Sequence, residues 1–243
     1  MNTLKYIITA LLFLLIIYPL RGQELTGDVI EDNMKALQGM QGNVQVRTFN
    51  VGYEGIKGTP YLFDEWLPGN ILLYGEKLLT GVPIKFDAYN NDLVYLNESM
   101  MDSLVINKQN VLEFEIGRDG NWILFSKYNL TNNKHKLDIK FAESLYAGKS
   151  KLIRYHFKNL IKADYTGAYN SGVKYDELIP ESQLYLIKPD NIMIKLKANH
   201  RSILKAFGEK KNEIKSFMKE QNLSGNDINE LVKITKHYDS ISY

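Results

Sequence analysis

A few residue groups in this chain have types and spacings that could support chemistry. Gly148-Lys149-Ser150 has the form of the end of a phosphate-binding loop, where backbone N–H groups cradle phosphates and a lysine neutralises them. That motif needs a glycine five positions before Gly148, and Glu143 stands there, so the triplet reads as a turn between two strands. His135, His156, His200 and His237 are scattered, with no HExxH or HxH spacing to seat a metal. They are expected to be exposed strand residues or helix-terminal residues, and no metal or cofactor is expected. Asp64 and Glu65 are neighbours, and on a strand neighbours point to opposite faces, so this pair cannot flank one glycosidic bond. There is no G-x-S-x-G elbow, and without cysteine there is no thiol nucleophile. No catalytic residue is assigned.

Tyrosine is the one strong compositional bias, at 16 residues. Tyr165, Tyr169 and Tyr175 fall in the glycine-containing stretch 164–176 between two strand-like runs. A tyrosine offers a flat apolar body with a polar tip, which suits sugars, peptides or lipids. These three are the candidate ligand-binding residues, weighed against the plainer reading that their rings pack the loop onto a sheet.

The elements that would position such groups follow from periodicity. Val82, Ile84 and Phe86 alternate with Pro83, Lys85 and Asp87; Leu112, Phe114 and Ile116 alternate with Glu113 and Glu115. The same period of two runs through Leu137, Ile139 and Phe141, through Ile153, Tyr155 and Phe157, and through Ile192, Ile194 and Leu196. One apolar and one wetter face per run is the mark of antiparallel sheet. Asn90-Asn91, Asp119-Gly120 and Pro189-Asp190-Asn191 supply the turns. After His200 the period becomes helical, with Ile203 and Phe207, then Ile214, Phe217 and Met218, and a last helix capped by Asn226 or Asp227. Gly208 is expected to divide the stretch. A short helix is also expected within 28–37.

The expected fold class is α+β and mainly antiparallel β: a curved meander sheet, sandwich or open barrel with C-terminal helices packed on it. The boundaries are 1–22 for a leader, 23–56 for a polar segment, 57–198 for the β domain, and 199–243 for helices belonging to the same domain. An outer-membrane barrel fits poorly, because its strands need about 9–11 residues and several runs here are shorter.

The leader has the three parts of a secretory signal: Lys5, an apolar run over 7–18, then Pro19 and a cleavage point at Gly22. An apolar run this short falls below the roughly 20 residues of a membrane span, so no transmembrane span is expected once it is removed. The triplet Leu20-Arg21-Gly22 is a poor cleavage signature, and a retained leader would tether the chain. The absence of cysteine excludes disulfides and lipid attachment through cysteine. The leader holds two of the 30 basic residues, Lys5 and Arg21, and no acid, which leaves 28 basic against 28 acidic residues. A neutral domain argues against nucleic acid as a partner. Lys210, Lys211, Lys215 and Lys219 are interleaved with Glu209, Glu213 and Glu220 and read as a solvated helix face.

Several stretches carry a family likeness: Gly58-Thr59-Pro60-Tyr61-Leu62, Trp66 and Gly69, the strand at 81–89, Ile194-Lys195-Leu196, then Ile203, Leu204 and Phe207, the run 217–223, and a last helix to Tyr238. In this order the chain resembles uncharacterised secreted proteins common in Bacteroidota. The resemblance implies an envelope location, periplasmic or outer, and a β-rich fold, and it carries over no activity. The expected function is therefore that of a non-enzymatic binding or structural module of the envelope, partnered by a protein, glycan or lipid component. The alternative is an envelope or glycan hydrolase with acids assembled from different strands.

Overall fold

A computed structural model of the chain describes residues 29, 32–33, 35, 44–45, 53, 55–97, 102–132, 136–164 and 175–242. Val29, Asp32, Asn33 and Lys35 are helical, within the stretch expected to be so. The strands are β1 (Val44–Gln45), β2 (Leu67–Leu73), β3 (Leu78–Asp87), β4 (Asp92–Asn97), β5 (Asp102–Ile106), β6 (Val111–Arg118), β7 (Asn121–Asn129), β8 (Ile139–Ala147), β9 (Lys151–Ile161), β10 (Glu177–Ile187) and β11 (Met193–Leu196). They form one open antiparallel sheet in the order β1-β5-β4-β3-β2-β6-β7-β8-β9-β10-β11. Two meanders, β2–β5 and β6–β11, are thus joined where β6 pairs with β2.

The turn chemistry is local and was readable. Asp119 and Gly120 both have positive φ, as do Asn91 and Asn191 at the other expected hairpins. Gly75-Glu76 makes a further hairpin of the same kind between β2 and β3. The alternation was less reliable at strand ends. β6 carries a bulge opposite Leu72 and Leu73, so that Val111 rather than Leu112 takes the inward place. Leu137 lies before β8 and is 77% exposed, and Ile192 is an exposed turn residue.

The sheet is forced to curl. β5 and β6 stand four places apart in it, which in a flat sheet is about 19 Å. Yet they are joined only by residues 107–110, three of them coiled in a 3₁₀ turn at Lys108–Asn110. The curl wraps a core of Phe86, Phe114, Phe125 and Phe141, in which Phe114 and Phe125 stack at 4.9 Å. Asn91 closes it. Its side-chain amide donates to the Phe141 carbonyl at 2.9 Å and accepts from the Phe141 N–H at 2.8 Å, pairing with β8 as a strand residue would. Asn132 does the same for the β11 edge, exchanging hydrogen bonds with both backbone groups of Met193.

The helices are α1 (His200–Ala206), α2 (Lys211–Glu220) and α3 (Ile228–Ile241). Asn199 caps α1 and Asp227 caps α3 through side-chain oxygens, and Gly208 divides α1 from α2 at positive φ. Ile203, Phe207, Ile214, Met218, Leu231, Ile234 and Tyr238 pack on Leu152, Leu186 and Leu196 of the sheet. No described helix is long and apolar enough to cross a membrane.

One row of directly paired residues crosses the sheet: Phe114, Phe125, Glu143, Arg154, Leu184 and Leu196. Directly paired residues share a face. The aromatic core and the helix core therefore lie on the same face, with Glu143 and Arg154 at the seam between them.

Candidate functional site

The curl brings the beginnings of β4 and β8 and the end of β7 together beside the β5–β6 turn. A hollow of about 730 Å³ opens there. The β2–β3 hairpin contributes Tyr74, the β5–β6 turn contributes Asn107, Lys108 and Gln109, and Asp92 and Lys127 come from β4 and β7. Lys108 Nζ lies 3.5 Å from Asp92 Oδ1 and 6.0 Å from the Phe141 ring centroid. Lys127 Nζ lies 5.8 Å from that centroid and 5.1 Å from the centre of Tyr74, and it donates to the Gln109 carbonyl at 3.4 Å. Two ammonium groups thus flank one buried ring, and the Tyr74 ring beside them is 60% exposed.

Burial lowers the pKa of both amines below the usual lysine range. For Lys108 the Asp92 charge opposes this and Lys140 adds to it; for Lys127 the Lys108 charge adds to it. Lys140 itself pairs with Asp138 at 3.6 Å. Asp92 is the one acid among the described lining residues, so these bring no pair of carboxylates to flank a glycosidic bond. Two amines and an exposed ring against one carboxylate are groups that can meet an anion and an apolar face.

Asp87 positions part of this site. Its carboxylate accepts from the backbone N–H of Tyr89 and Asn90, from the Asn90 amide and from the Tyr53 hydroxyl. These bonds build the β3–β4 turn that delivers Asn91 and Asp92. Burial raises the Asp87 pKa, and the Asn90 and Tyr53 bonds offset part of that. Among the described carboxyl groups with a resolved shift, Asp87 is the one raised; Glu143, Asp176, Glu213 and Glu230 are all lowered.

The residues singled out from sequence have other roles. Gly148-Lys149-Ser150 is the β8–β9 turn, and its groups serve α3. The Ser150 N–H donates to the Asp239 carboxylate at 2.9 and 3.0 Å, and Lys149 Nζ donates to the Ser242 carbonyl at 2.9 Å. His156 corrects the expectation of exposed histidines. It is partly buried, with Nε2 2.6 Å from Glu143 Oε2, on a carboxylate that Arg154 grips with two further bonds. His237 stacks on Phe217 at 3.9 Å, His200 begins α1, and His135 lies outside the described residues. Asp64 and Glu65 lie in bends before β2 rather than on a strand, and Glu65 pairs with Arg118.

Of the three candidate tyrosines, Tyr165 and Tyr169 lie outside the described residues. Tyr175 is 62% exposed, beside an Asp176 that binds Lys162 at 2.7 Å. Tyr74, Lys108 and Lys127 were missed. The hairpin signal at Gly75-Glu76 could have drawn attention to Tyr74, but nothing local joins the two lysines. No protein-family model, curated protein or solved structure matches the chain.

Proposed function

We propose that the chain is an exported envelope protein that acts by binding rather than catalysis, and that the Tyr74–Lys108–Lys127 hollow holds an anionic ligand. The observation that carries this reading is the pair of partly buried ammonium groups around the Phe141 ring in an open cavity. Holding two cations where burial disfavours their charge costs folding stability. A ligand anion arriving there regains that energy, because charge-assisted hydrogen bonds are strong in partly desolvated surroundings. Export rests on the leader, with Lys5 before its apolar run. The neutral balance of the remaining chain favours a local anion site over a polyanion-binding surface.

A calorimetric titration of the full chain with carboxylated, sulfated and neutral oligosaccharides tests the reading, and its pH dependence has a definite sign. Only protonated amines attract an anion. Both lysine pKa values are lowered from 10.5, so affinity should begin to fall below the pH at which an ordinary lysine titrates. The anion favours the charged form, so binding should take up protons in that window. Equal binding of neutral and anionic oligosaccharides, or an affinity indifferent to alkaline pH, would reject the anion reading.

A further inference from the structure

Taking the anion-binding reading as its basis, we infer that the ligand is an acidic sugar, a pyranose carrying a carboxylate, with its ring laid on Tyr74 and its carboxylate held by Lys127 and Lys108. The Tyr74 ring projects from the β2–β3 hairpin into solvent, and Lys127 Nζ stands 5.1 Å from its centre. The cation stands over one face of a ring that is otherwise largely exposed. A uronate unit has the matching pattern, an apolar C–H face with a carboxylate at its rim, and aromatic rings accept such faces by dispersion and burial.

The rest of the wall agrees. Gln109 brings an amide group that can exchange hydrogen bonds with hydroxyls, while Asn107 holds the turn by accepting from the Gln109 N–H and Asp92 pairs with Lys108. The hollow, at about 730 Å³, falls in the range of about 300–1,000 Å³ typical of small-molecule sites. That is far more room than a lone sulfate or phosphate fills. A small anion would use the lysines and leave Tyr74 idle, so the tyrosine separates the two ligand classes.

The test uses the full chain with three probes: an oligogalacturonate, a neutral oligogalactan of equal length, and inorganic sulfate. The oligogalacturonate should bind and the neutral chain should not. Tyr74→Ala should weaken oligogalacturonate binding about tenfold, while Tyr74→Phe keeps it. Sulfate, if it binds weakly at the lysines, should be indifferent to both changes. The ring is exposed, so an unchanged thermal melt should accompany either variant. If Tyr74→Ala binds oligogalacturonate as the native chain does, or if sulfate matches the oligogalacturonate, the sugar assignment is wrong and the anion reading stands. If no anionic probe binds, the anion reading falls with it.

Discussion

Replacing Glu143 with alanine should cost about 3 kcal/mol of folding stability at neutral pH, read from chemical denaturation midpoints. Its carboxylate is nearly buried and receives Arg154 Nε at 2.6 Å, the Arg154 second nitrogen at 2.8 Å, and His156 Nε2 at 2.6 Å. Alanine would strand a guanidinium at the seam between the aromatic core and the helix core. The cost stays at the low end for a broken buried pair, about 3–5 kcal/mol, because Arg154 keeps 29% of its side chain exposed and can turn toward water.

The pH dependence of this contribution follows from its pKa. Burial by itself would raise the Glu143 pKa, but the His156 and Arg154 bonds and the Arg154 charge outweigh it and leave the group below 4.5. A lowered carboxyl pKa stabilises the fold above the unfolded-state value and loses that stabilisation as pH falls through the folded-state value. The gap between native protein and the alanine variant should therefore be full at neutral pH and shrink in acid. A gap that persists unchanged in acid would mean that the side chain matters through packing alone.

Asn91→Ala should cost about as much, roughly 3 kcal/mol, for a different reason. Asn91 is 1% exposed, and its amide satisfies both backbone groups of Phe141. Alanine leaves that N–H and C=O buried without partners, at about 1–3 kcal/mol. It also places a Cβ-bearing residue at φ 59° without the local hydrogen bonding that lets asparagine sit there. Asn91→Gly separates the two effects, since it relieves the backbone and still removes the amide. It should recover about 1 kcal/mol of the loss. Full recovery with glycine would show that the closing bonds to β8 contribute nothing.

The two positions show which kinds of feature a sequence discloses. Asp119-Gly120 could be read as a hairpin because a type of turn depends on its own two residues. The antiparallel sheet could be read from alternation, since burial on one face imposes a period of two wherever a strand lies, but alternation left a curved sheet, a sandwich and an open barrel equally allowed. The bulge at Leu112 could not, because it depends on the register of β2, a partner distant in sequence. Asn91 had a visible local role in a turn, whereas its partner lies 50 residues away on β8. The histidine expectation failed at His156 for the same reason: Glu143 is its neighbour only once β8 and β9 are paired. The hollow is the extreme case. Tyr74, Lys108 and Lys127 meet only because the β5–β6 turn is too short for a flat sheet. Their separate surroundings in sequence contain no sign of that meeting. Tyr165, Tyr169 and Tyr175 drew attention by being close along the chain, which is a weaker criterion than convergence in space.

The role of the hollow is tested most directly by titrating an anionic oligosaccharide into the native chain and into a variant carrying Lys108→Met and Lys127→Met. Methionine keeps much of the apolar stem and removes the charge. The change leaves the Asp92 carboxylate without its Lys108 partner at 3.5 Å, so the double variant should melt somewhat lower than the native protein while still folding cooperatively. Its affinity should fall by about 30-fold or more, the loss of two partly exposed charge-assisted contacts. A double variant that folds normally and binds the anion as tightly as the native chain would contradict the assignment of this hollow as the binding site.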